Sequence, residues 1–386
     1  MTVGVAIGAV AVAAWAYLLL GRGFFWLARE RDEAPPPGPA PAQWPAVVAV
    51  VPARNEADVI ETAVSQVLAQ GYPGPLRLIV VDDNSTDGTP EAARAAAERM
   101  GLAGLLTVVS GRPLAAGWTG KLWAASQGVE AAAEFAPKYL WLTDADIAHD
   151  VGVLHGLVVR AEARQLVLVS RMARLQMGTW AEKFMIPAFV FFFDMLFPFA
   201  WVNDPGSKVA AAAGGCMLVR RDALAAAGGV AAIRAEIIDD CALAARLKAV
   251  GPIRLELTRQ SASLRPYAGL GEIGRMISRS AYAQLKYSPW LLAGTVGGLS
   301  LAFLAAPTLA LFADGTARWL GVAAWGLMAT SFQPLLRYYR RSPLWGVALP
   351  LIAALYTLFT VQSATQVWRG RGGMWKGRSQ ALAAQP

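Results

Sequence analysis

The segment Tyr139-Leu-Trp-Leu-Thr-Asp144-Ala-Asp146 is an apolar run that ends in two carboxylates one residue apart. A run of this length, rich in aromatic and aliphatic residues, is typical of a buried strand. Asp144 and Asp146 then emerge at its carboxyl end, where open α/β sheets form their ligand crevice. Because side chains alternate along a strand, both carboxylates project from one face, and such oxygen ligands suit Mg²⁺ or Mn²⁺. The pair predicts a divalent-cation site; the alternative is that Asp146 only caps the next segment.

The composition indicates a membrane-associated protein. Of 386 residues, 55% are hydrophobic and 16% charged, and the mean hydropathy is +0.40, which is too apolar for a wholly soluble enzyme. The net charge of +8 is concentrated at one end, since residues 290–386 hold eight Arg or Lys and one acid. Basic residues beside apolar stretches mark cytoplasmic loops and anionic lipid, so we expect no nucleic-acid partner. Cys216 and Cys241 are too few for a disulfide framework, which predicts a reducing compartment.

The two ends of the chain are predicted to enter a membrane. Residues 1–27 are predicted to form an N-terminal transmembrane helix, because the first 21 carry no charge and about 20 apolar residues span a bilayer. A cleaved signal peptide would need a basic start, which is absent. Residues 28–45 are rich in proline and predict a stiff linker. Residues 286–368 predict two or three further spans, and residues 369–386 a basic tail.

The number of C-terminal spans stays open at the level of sequence. Arg337–Arg341 and Arg369–Arg378 both resemble cytoplasmic loops, although one apolar stretch separates them. One apolar stretch therefore does not cross fully. It is either the middle one, which contains Pro334, or the last one, which contains Pro350.

Residues 46–285 are predicted to form an α/β domain. Up to Gly251, short β-branched runs alternate with Ala-rich helical stretches, which predicts a mostly parallel sheet with crossover helices. The predicted strands are Val47–Val51, Leu76–Val81, Leu105–Val109, Tyr139–Leu142, Leu166–Val169, Gly215–Val219 and, at an edge, Arg254–Glu256. The predicted helices are Glu56–Gln70, Thr89–Met100, Lys121–Ala133, Asp240–Val250 and a basic amphipathic helix over Arg265–Tyr287.

Two further acidic pairs and one lysine are candidate site residues. Asp82 and Asp83 end the second strand, where a carboxylate can accept a hydrogen bond from a nucleobase or ribose. Asp239 and Asp240 open a helix, where acids favour the macrodipole and one of them is a candidate general base. Lys121 begins another helix and either pairs with a phosphate or is a surface lysine.

Residues 180–202 form an apolar segment for which the sequence leaves two interpretations open. Pro187, Asp194 and Pro198 interrupt it and argue against a simple span. We interpret it as an interfacial segment at the membrane surface. The alternative is a buried core helix.

Four motifs in order resemble the inverting family 2 glycosyltransferases of the GT-A fold. They are Val50-Val-Pro-Ala-Arg-Asn-Glu56, Val80-Val-Asp-Asp-Asn-Ser-Thr-Asp-Gly-Thr89, Asp144-Ala-Asp146, and Ile238-Asp-Asp240 with Leu243 and Arg246. The terminal apolar segments and the closing Gly373-Met-Trp-Lys-Gly-Arg378 look most like the hopanoid-biosynthesis-associated branch. The resemblance implies a Rossmann-like, mostly parallel GT-A catalytic domain with N- and C-terminal transmembrane helices.

The resemblance also implies where the nucleotide-sugar binds. Pro52, Ala53 and Glu56 would line the nucleotide pocket, and Asp82 or Asp83 would hold the uracil or ribose of a UDP-sugar.

The same resemblance assigns the catalytic and metal-binding roles. Asp144 and Asp146 match the motif that carries Mg²⁺ or Mn²⁺ on the diphosphate. Asp240 matches the catalytic base, with Asp239 in place of the usual glutamate. Arg279 is what remains of a Gln-x-x-Arg-Trp motif and would help to stabilise the leaving diphosphate. The loss of the other members of that motif favours transfer of a single sugar over polymer synthesis.

The sequence therefore predicts a metal-dependent, multi-pass enzyme of the inner membrane whose catalytic domain is cytoplasmic. It would transfer one sugar from a nucleotide-sugar to a lipid acceptor such as a hopanoid. One alternative is a non-catalytic scaffold that binds nucleotide-sugar or lipid in a lipid-biosynthesis complex. A nucleotidyltransferase is a second alternative, but it would be expected to carry a basic glycine-rich loop after the first strand.

Overall fold

The computed structural model describes residues 3–33, 38–376 and 378–379. Residues 1–2 of the predicted N-terminal helix, 34–37 of the linker, and 377 and 380–386 of the tail lie outside this range.

The chain divides into two compact units, each built from separate pieces of sequence. The sheet unit comprises residues 30–176, 201–265 and the chain from Met374, and the helical unit comprises residues up to 29, 177–200 and 266–373. Residues 177–200 and 266–285 therefore cluster with the helical unit, although both fall inside the α/β domain predicted over 46–285. The reason is their apolar surface, which packs on C-terminal helices: a Cβ on Gly274 would stand 2.6 Å from the ring of Phe359.

The strands and helices are numbered in chain order. The strands are β1 Val47–Ala53, β2 Leu76–Asp82, β3 Leu106–Ser110, β4 Tyr139–Leu142, β5 Ile147–His149, β6 Leu168–Arg174, β7 Met217–Arg220, β8 Ile253–Ser263, β9 Met374–Trp375 and β10 Arg378–Ser379. The helices are α1 Val3–Leu20, α2 Ile60–Leu68, α3 Thr89–Arg99, α4 Gly120–Ala132, α5 Val153–Arg164, α6 Trp180–Leu196, α7 Phe199–Asn203, α8 Arg221–Ala226, α9 Asp239–Lys248, α10 Leu270–Ser278, α11 Ala281–Gln284, α12 Pro289–Leu299, α13 Ala305–Phe312, α14 Gly315–Ser331, α15 Gln333–Tyr338 and α16 Leu349–Trp368.

The sheet unit is built on an eight-stranded mixed sheet in the order β3-β2-β1-β4-β7-β6-β8-β5. Strands β3, β2, β1 and β4 are parallel, whereas β7 runs antiparallel to both β4 and β6. Because β8 is parallel to β6, it points in the same direction as β1. The carboxyl ends of β1, β2, β4 and β8 therefore lie along one edge of the sheet, which we call the carboxyl edge.

Six of the eight strands run in one direction, as the prediction of a mostly parallel sheet requires, and the sheet is mixed because β7 and β5 enter it in the reverse direction. The predicted strands are all present: Tyr139–Leu142 coincides with β4, and the other strands differ from the prediction at one or both ends. Strand β8 is longer than predicted and lies inside the sheet, between β6 and β5, whereas the sequence placed it at an edge. The periodicity of the sequence does not show which strands lie next to β8 in the sheet.

Helices cover both faces of the central strands. One face of β1, including Ala49 and Val51, is buried against Ile60 and Val64 of α2. The other face meets α4 at Gly128, where a Cβ would stand 2.4 Å from Val50 Cγ1. Strands buried on both faces are read as continuous apolar runs, and this is why β1 was recognisable in the sequence.

The helical unit has an aromatic core in which α6 is central. Phe191 stacks edge-on against Phe332 with ring centroids 5.2 Å apart, and Phe192 lies 4.7 Å from Tyr356. Phe191 is 1% exposed. Helix α6 is thus largely buried within this unit, and an interfacial position for residues 180–202 remains a prediction.

Two helical segments among the described residues are long and apolar enough to cross a membrane. They are Val3–Leu20, and Pro289–Phe312, which joins α12 to α13 through a π-helical turn. Both lie in regions predicted to span, and length and composition alone are weak support for a span. The helix predicted over Arg265–Tyr287 is broken into α10 and α11.

Candidate functional site

The predicted nucleotide-binding residues lie at the carboxyl edge. Pro52 and Ala53 end β1 and are in register with Val81 and Asp82 of β2. The backbone N–H of Thr143 donates to the carbonyl of Val50 at 3.2 Å, which brings the chain after β4 beside the same strand. The parallel register therefore brings together two of the predicted motifs that are separated in sequence.

Lys121 lies between two of the predicted acidic groups. Its Nζ is 2.8 Å from Asp144 Oδ1 and 3.2 Å from Asp239 Oδ2. Burial alone would lower the pKa of Lys121, but the carboxylates of Asp144 and Asp239 outweigh burial and raise it. The lysine is thus held as a cation at the start of α4 and does not point freely into solvent.

A hollow of about 430 Å³ that is open to solvent joins these residues. Among the residues that line it are Pro52, Lys121, Thr143, Asp144, Gly214 and Asp239. The predicted metal, nucleotide and catalytic motifs therefore share one concave surface of the sheet unit.

Asp240 is oriented by backbone hydrogen bonds at the N-terminus of α9. Gly214 N–H donates to its Oδ2 at 2.9 Å, and Cys241 N–H donates to its Oδ1 at 2.7 Å. Burial and, after it, the charge of Asp239 raise the pKa of Asp240 to about 6. A carboxylate with this pKa is ionised at neutral pH and is a stronger base than an ordinary aspartate.

Asp146 lies in a second group of charges at the same edge. Arg265 Nε is 3.4 Å from Asp146 Oδ2, and Arg265 is also paired with Glu56. Burial and the neighbouring charge of Asp144 raise the pKa of Asp146 to about 6. The two aspartates of the Asp-x-Asp motif are therefore close to each other, and each faces its own cation.

Sequence analysis missed Arg265, because it assigned this residue to the start of an amphipathic helix. Arg265 follows β8 by two residues. It stands at the carboxyl edge because β8 runs in the same direction as β1, since the one reversed strand between them, β7, is antiparallel to both of its neighbours. The sequence does show a basic residue shortly after a run that forms a strand. It does not show the direction of that strand in the sheet, which decides whether the residue lies at the carboxyl edge.

Asp82 and Asp83 differ in their surroundings. The Asp83 side chain is 2% exposed and lies 3.7 Å from Arg54 Nη1, so it stabilises the loop. Asp82 is 8% exposed and both its oxygens accept from Ser85 N–H at 3.3 Å. This difference favours Asp82 as the residue that contacts a nucleoside.

A buried histidine supports the turn that carries Asp144. Thr143 Oγ1 lies 2.8 Å from His149 Nε2, and His149 Nδ1 lies 2.8 Å from Ser261 Oγ. Burial and, after it, Arg171 lower the pKa of His149 to about 3, so the imidazole is neutral at pH 7. The histidine positions the turn and was not identified from the sequence.

Arg279, the remaining predicted residue, belongs to the helical unit, where it forms the C-cap of α10. Its part in binding the diphosphate remains a prediction.

The residues at the carboxyl edge fit a divalent cation whose coordination is completed by oxygen atoms of the substrate. Within residues 3–33, 38–376 and 378–379, no three His, Cys, Asp or Glu side chains form a ready-made metal site. Asp144 and Asp146 supply two hard oxygen groups. Mg²⁺ is commonly held by one or two carboxylates together with substrate phosphates and water, and this donor set matches that requirement.

Residues 48–228 match the model of the family described as Glycosyl transferase family 2. The matched range includes Asp82, Lys121 and Asp144, and it ends before Asp239. The mixed sheet between flanking helices fits the GT-A fold.

The chain is also similar to solved structures. The mannosyltransferase PcManGT from Pyrobaculum calidifontis, in complex with GDP-Man and Mn²⁺, aligns with a TM-score of 0.54 at 21% identity, over 95% of this chain and 99% of that chain. Glucosyl-3-phosphoglycerate synthase from Mycobacterium tuberculosis, in complex with Mn²⁺, UDP and glucosyl-3-phosphoglycerate, aligns with a TM-score of 0.40 at 20% identity, over 63% and 79%. The first likeness shows a shared fold. No curated protein matches the chain.

Proposed function

We propose that this chain, whose residues 48–228 match the family 2 glycosyltransferase model, is a metal-dependent inverting enzyme that transfers one sugar from a nucleotide-sugar to a lipid. The observation that carries the proposal is the meeting of Lys121, Asp144 and Asp239 in one hollow, with the oriented base Asp240 next to Asp239.

The proposed reaction is a single in-line displacement. Asp240 accepts the proton of the acceptor hydroxyl while the hydroxyl oxygen bonds to the anomeric carbon. The bond from that carbon to the diphosphate oxygen breaks, and the nucleoside diphosphate leaves with its electron pair. The configuration at the anomeric carbon is inverted.

The remaining site residues bind the donor. Asp82 accepts from the nucleoside, and Pro52 and Ala53 form the wall of its pocket. Asp144 and Asp146 would hold Mg²⁺ or Mn²⁺, which supplies positive charge for the leaving diphosphate. Lys121 contributes a further cation beside Asp144.

The apolar helices support a lipid acceptor and a membrane location. Several large side chains of the helical unit are exposed, among them Trp290 at 87% and Phe312 at 80%, and exposed apolar surface of this kind marks a membrane or partner contact. We infer a multi-pass protein of the inner membrane with a cytoplasmic catalytic domain. A hopanoid acceptor rests on the sequence resemblance alone.

The test is an assay of nucleoside diphosphate release and glycolipid formation by the purified full-length protein. A panel of UDP- and GDP-sugars is offered with extracted membrane lipids, with Mn²⁺ and with chelator. We expect one sugar per lipid product, with activity lost in chelator. Donor binding without turnover for every pair would instead support the scaffold alternative.

A further inference from the structure

The chain returns to the sheet unit at its C-terminal end. Strands β9 and β10 form a two-stranded antiparallel hairpin, and Lys376 follows β9 with a φ of +44°. Its Nζ lies 2.8 Å from Glu56 Oε1 and donates to the carbonyl of Asn55 at 3.1 Å. A lysine more than 300 residues away in sequence thus binds the loop after β1.

The loop that Lys376 contacts is held in an unusual conformation. Asn55 has a φ of +51°, a left-handed conformation that costs free energy for a residue with a Cβ. Its N–H donates to Ser85 Oγ at 2.9 Å, and its Oδ1 accepts from Thr86 N–H at 3.0 Å. Ser85 and Thr86 therefore hold Asn55 from the β2 side, while Lys376 binds its carbonyl.

The carboxylate of Glu56 makes the contact with Lys376 an ion pair. Its side chain is 9% exposed, and a carboxylate so far removed from water requires cations or hydrogen-bond donors. Among the described residues, Arg265 and Lys376 form ion pairs with it. Burial and, after it, the nearby Arg265 lower the pKa of Lys376, which agrees with an ammonium that is partly removed from water.

We propose that Lys376 is a positioning residue for the donor, so that the C-terminal hairpin is a working part of the nucleotide-sugar site. Through Asn55 and Glu56 it fixes the loop that continues from Pro52 and Ala53. This inference rests on the proposed function, which assigns that loop to the nucleoside diphosphate of the donor. No contact between Lys376 and the reacting atoms is required.

The experiment compares Lys376→Met, which keeps the length of the stem without its charge, with Lys376→Arg in the full-length protein. Lys376→Gln is a second uncharged variant. The matched control is Lys138→Met, because Lys138 also pairs with a glutamate, Glu162 at 2.6 Å, but precedes β4 and so lies at the opposite edge. The measurements are the KM and kcat for the donor, the Kd for UDP and GDP with Mn²⁺, and the melting temperature.

We expect Lys376→Met and Lys376→Gln to raise KM and Kd roughly 5- to 30-fold with little change in kcat, because a hydrogen bond to a charged group is lost. Lys376→Arg recovers most of the affinity, and Lys138→Met matches the parent. Unchanged KM and Kd in both uncharged variants overturn the inference, as does a fall in kcat and melting temperature at constant KM. A parent protein that transfers no sugar, yet binds UDP or GDP more tightly than Lys376→Met, overturns the proposed function and leaves this inference standing.

Discussion

At the scale of single residues, the proposed glycosyl transfer depends on Asp239 and Asp240 having different roles. Both were identified from the sequence, because acids at the start of a helix after a turn form a recognisable pattern. The structure separates them: Asp239 faces Lys121, and Asp240 is oriented by two backbone N–H groups. The sequence could not show that division, because it depends on Gly214, in the turn before β7, lying beside Asp240.

The pH dependence of activity tests this division. Asp240 must be ionised to act as a base, and its pKa is raised to about 6, so kcat/KM should fall as pH drops through about 6. Asp239→Asn removes the neighbouring negative charge, which lowers the pKa of Asp240 and should move this acid limb to lower pH. Profiles of kcat/KM between about pH 4 and 8 make the comparison.

The control for this measurement is Asp222→Asn, because Asp222 is 73% exposed and pairs with Arg220. Its profile should match that of the parent. An acid limb that stays in place in Asp239→Asn would contradict Asp240 as the group whose ionisation sets that limb, since Asp146 also has a pKa of about 6.

At the scale of elements, the position of Lys121 depends on how closely α4 approaches the sheet. Gly128 permits that approach, since a Cβ there would stand 2.4 Å from Val50 Cγ1 and 3.0 Å from Val81 Cγ2. Gly128→Ala should therefore destabilise the protein by about 1–3 kcal/mol through overpacking. A lower melting temperature and weaker donor binding are the expected readouts.

Gly326, inside α14, is the matched control. A Cβ there meets no atom within 4 Å, so Gly326→Ala should leave the melting temperature unchanged or raise it through better helix propensity. Equal effects of the two substitutions would mean that helix–sheet distance does not limit stability.

The elements also show where sequence patterns cease to be informative. Strands β1, β2 and β4 are predictable because they are buried on both faces. Strand β5 has three residues, too few to show an alternating pattern. Strand β8 was placed at an edge because the sequence does not show which strands pair with it. Arg265 was missed for the same reason. Lys376 was missed because its partner is more than 300 residues distant.

At the scale of the whole molecule, the sheet unit is assembled from separate stretches of the chain. Its first stretch follows α1, where Leu257 N–H donates to the Glu30 carbonyl and Asp32 N–H donates to the Leu257 carbonyl. The Asp32 carboxylate is 1% exposed and lies 3.4 Å from Arg171 Nη1. Part of the predicted linker is thus docked on β8 by backbone hydrogen bonds and on Arg171 of β6 by a buried ion pair.

This docking predicts a large stability effect at a residue outside the family 2 match. Asp32→Ala leaves the buried Arg171 without this partner and should cost about 3–5 kcal/mol. Glu33→Ala, next in sequence, removes only an exposed pair with Arg259 and should cost about 0–1 kcal/mol. Melting temperatures of the two full-length variants distinguish them, and equal values would contradict the docking.

The central claim is that Asp240 is the base of glycosyl transfer, and Asp240→Asn tests this claim most directly. The amide keeps the size of the side chain but cannot accept the proton, so kcat should fall roughly 10²- to 10⁴-fold. The Kd for the nucleoside diphosphate should remain within a few-fold of the parent, because Asp82, Lys121 and Asp144 are untouched. Retained turnover in Asp240→Asn, or lost turnover together with lost nucleotide binding, would contradict the account.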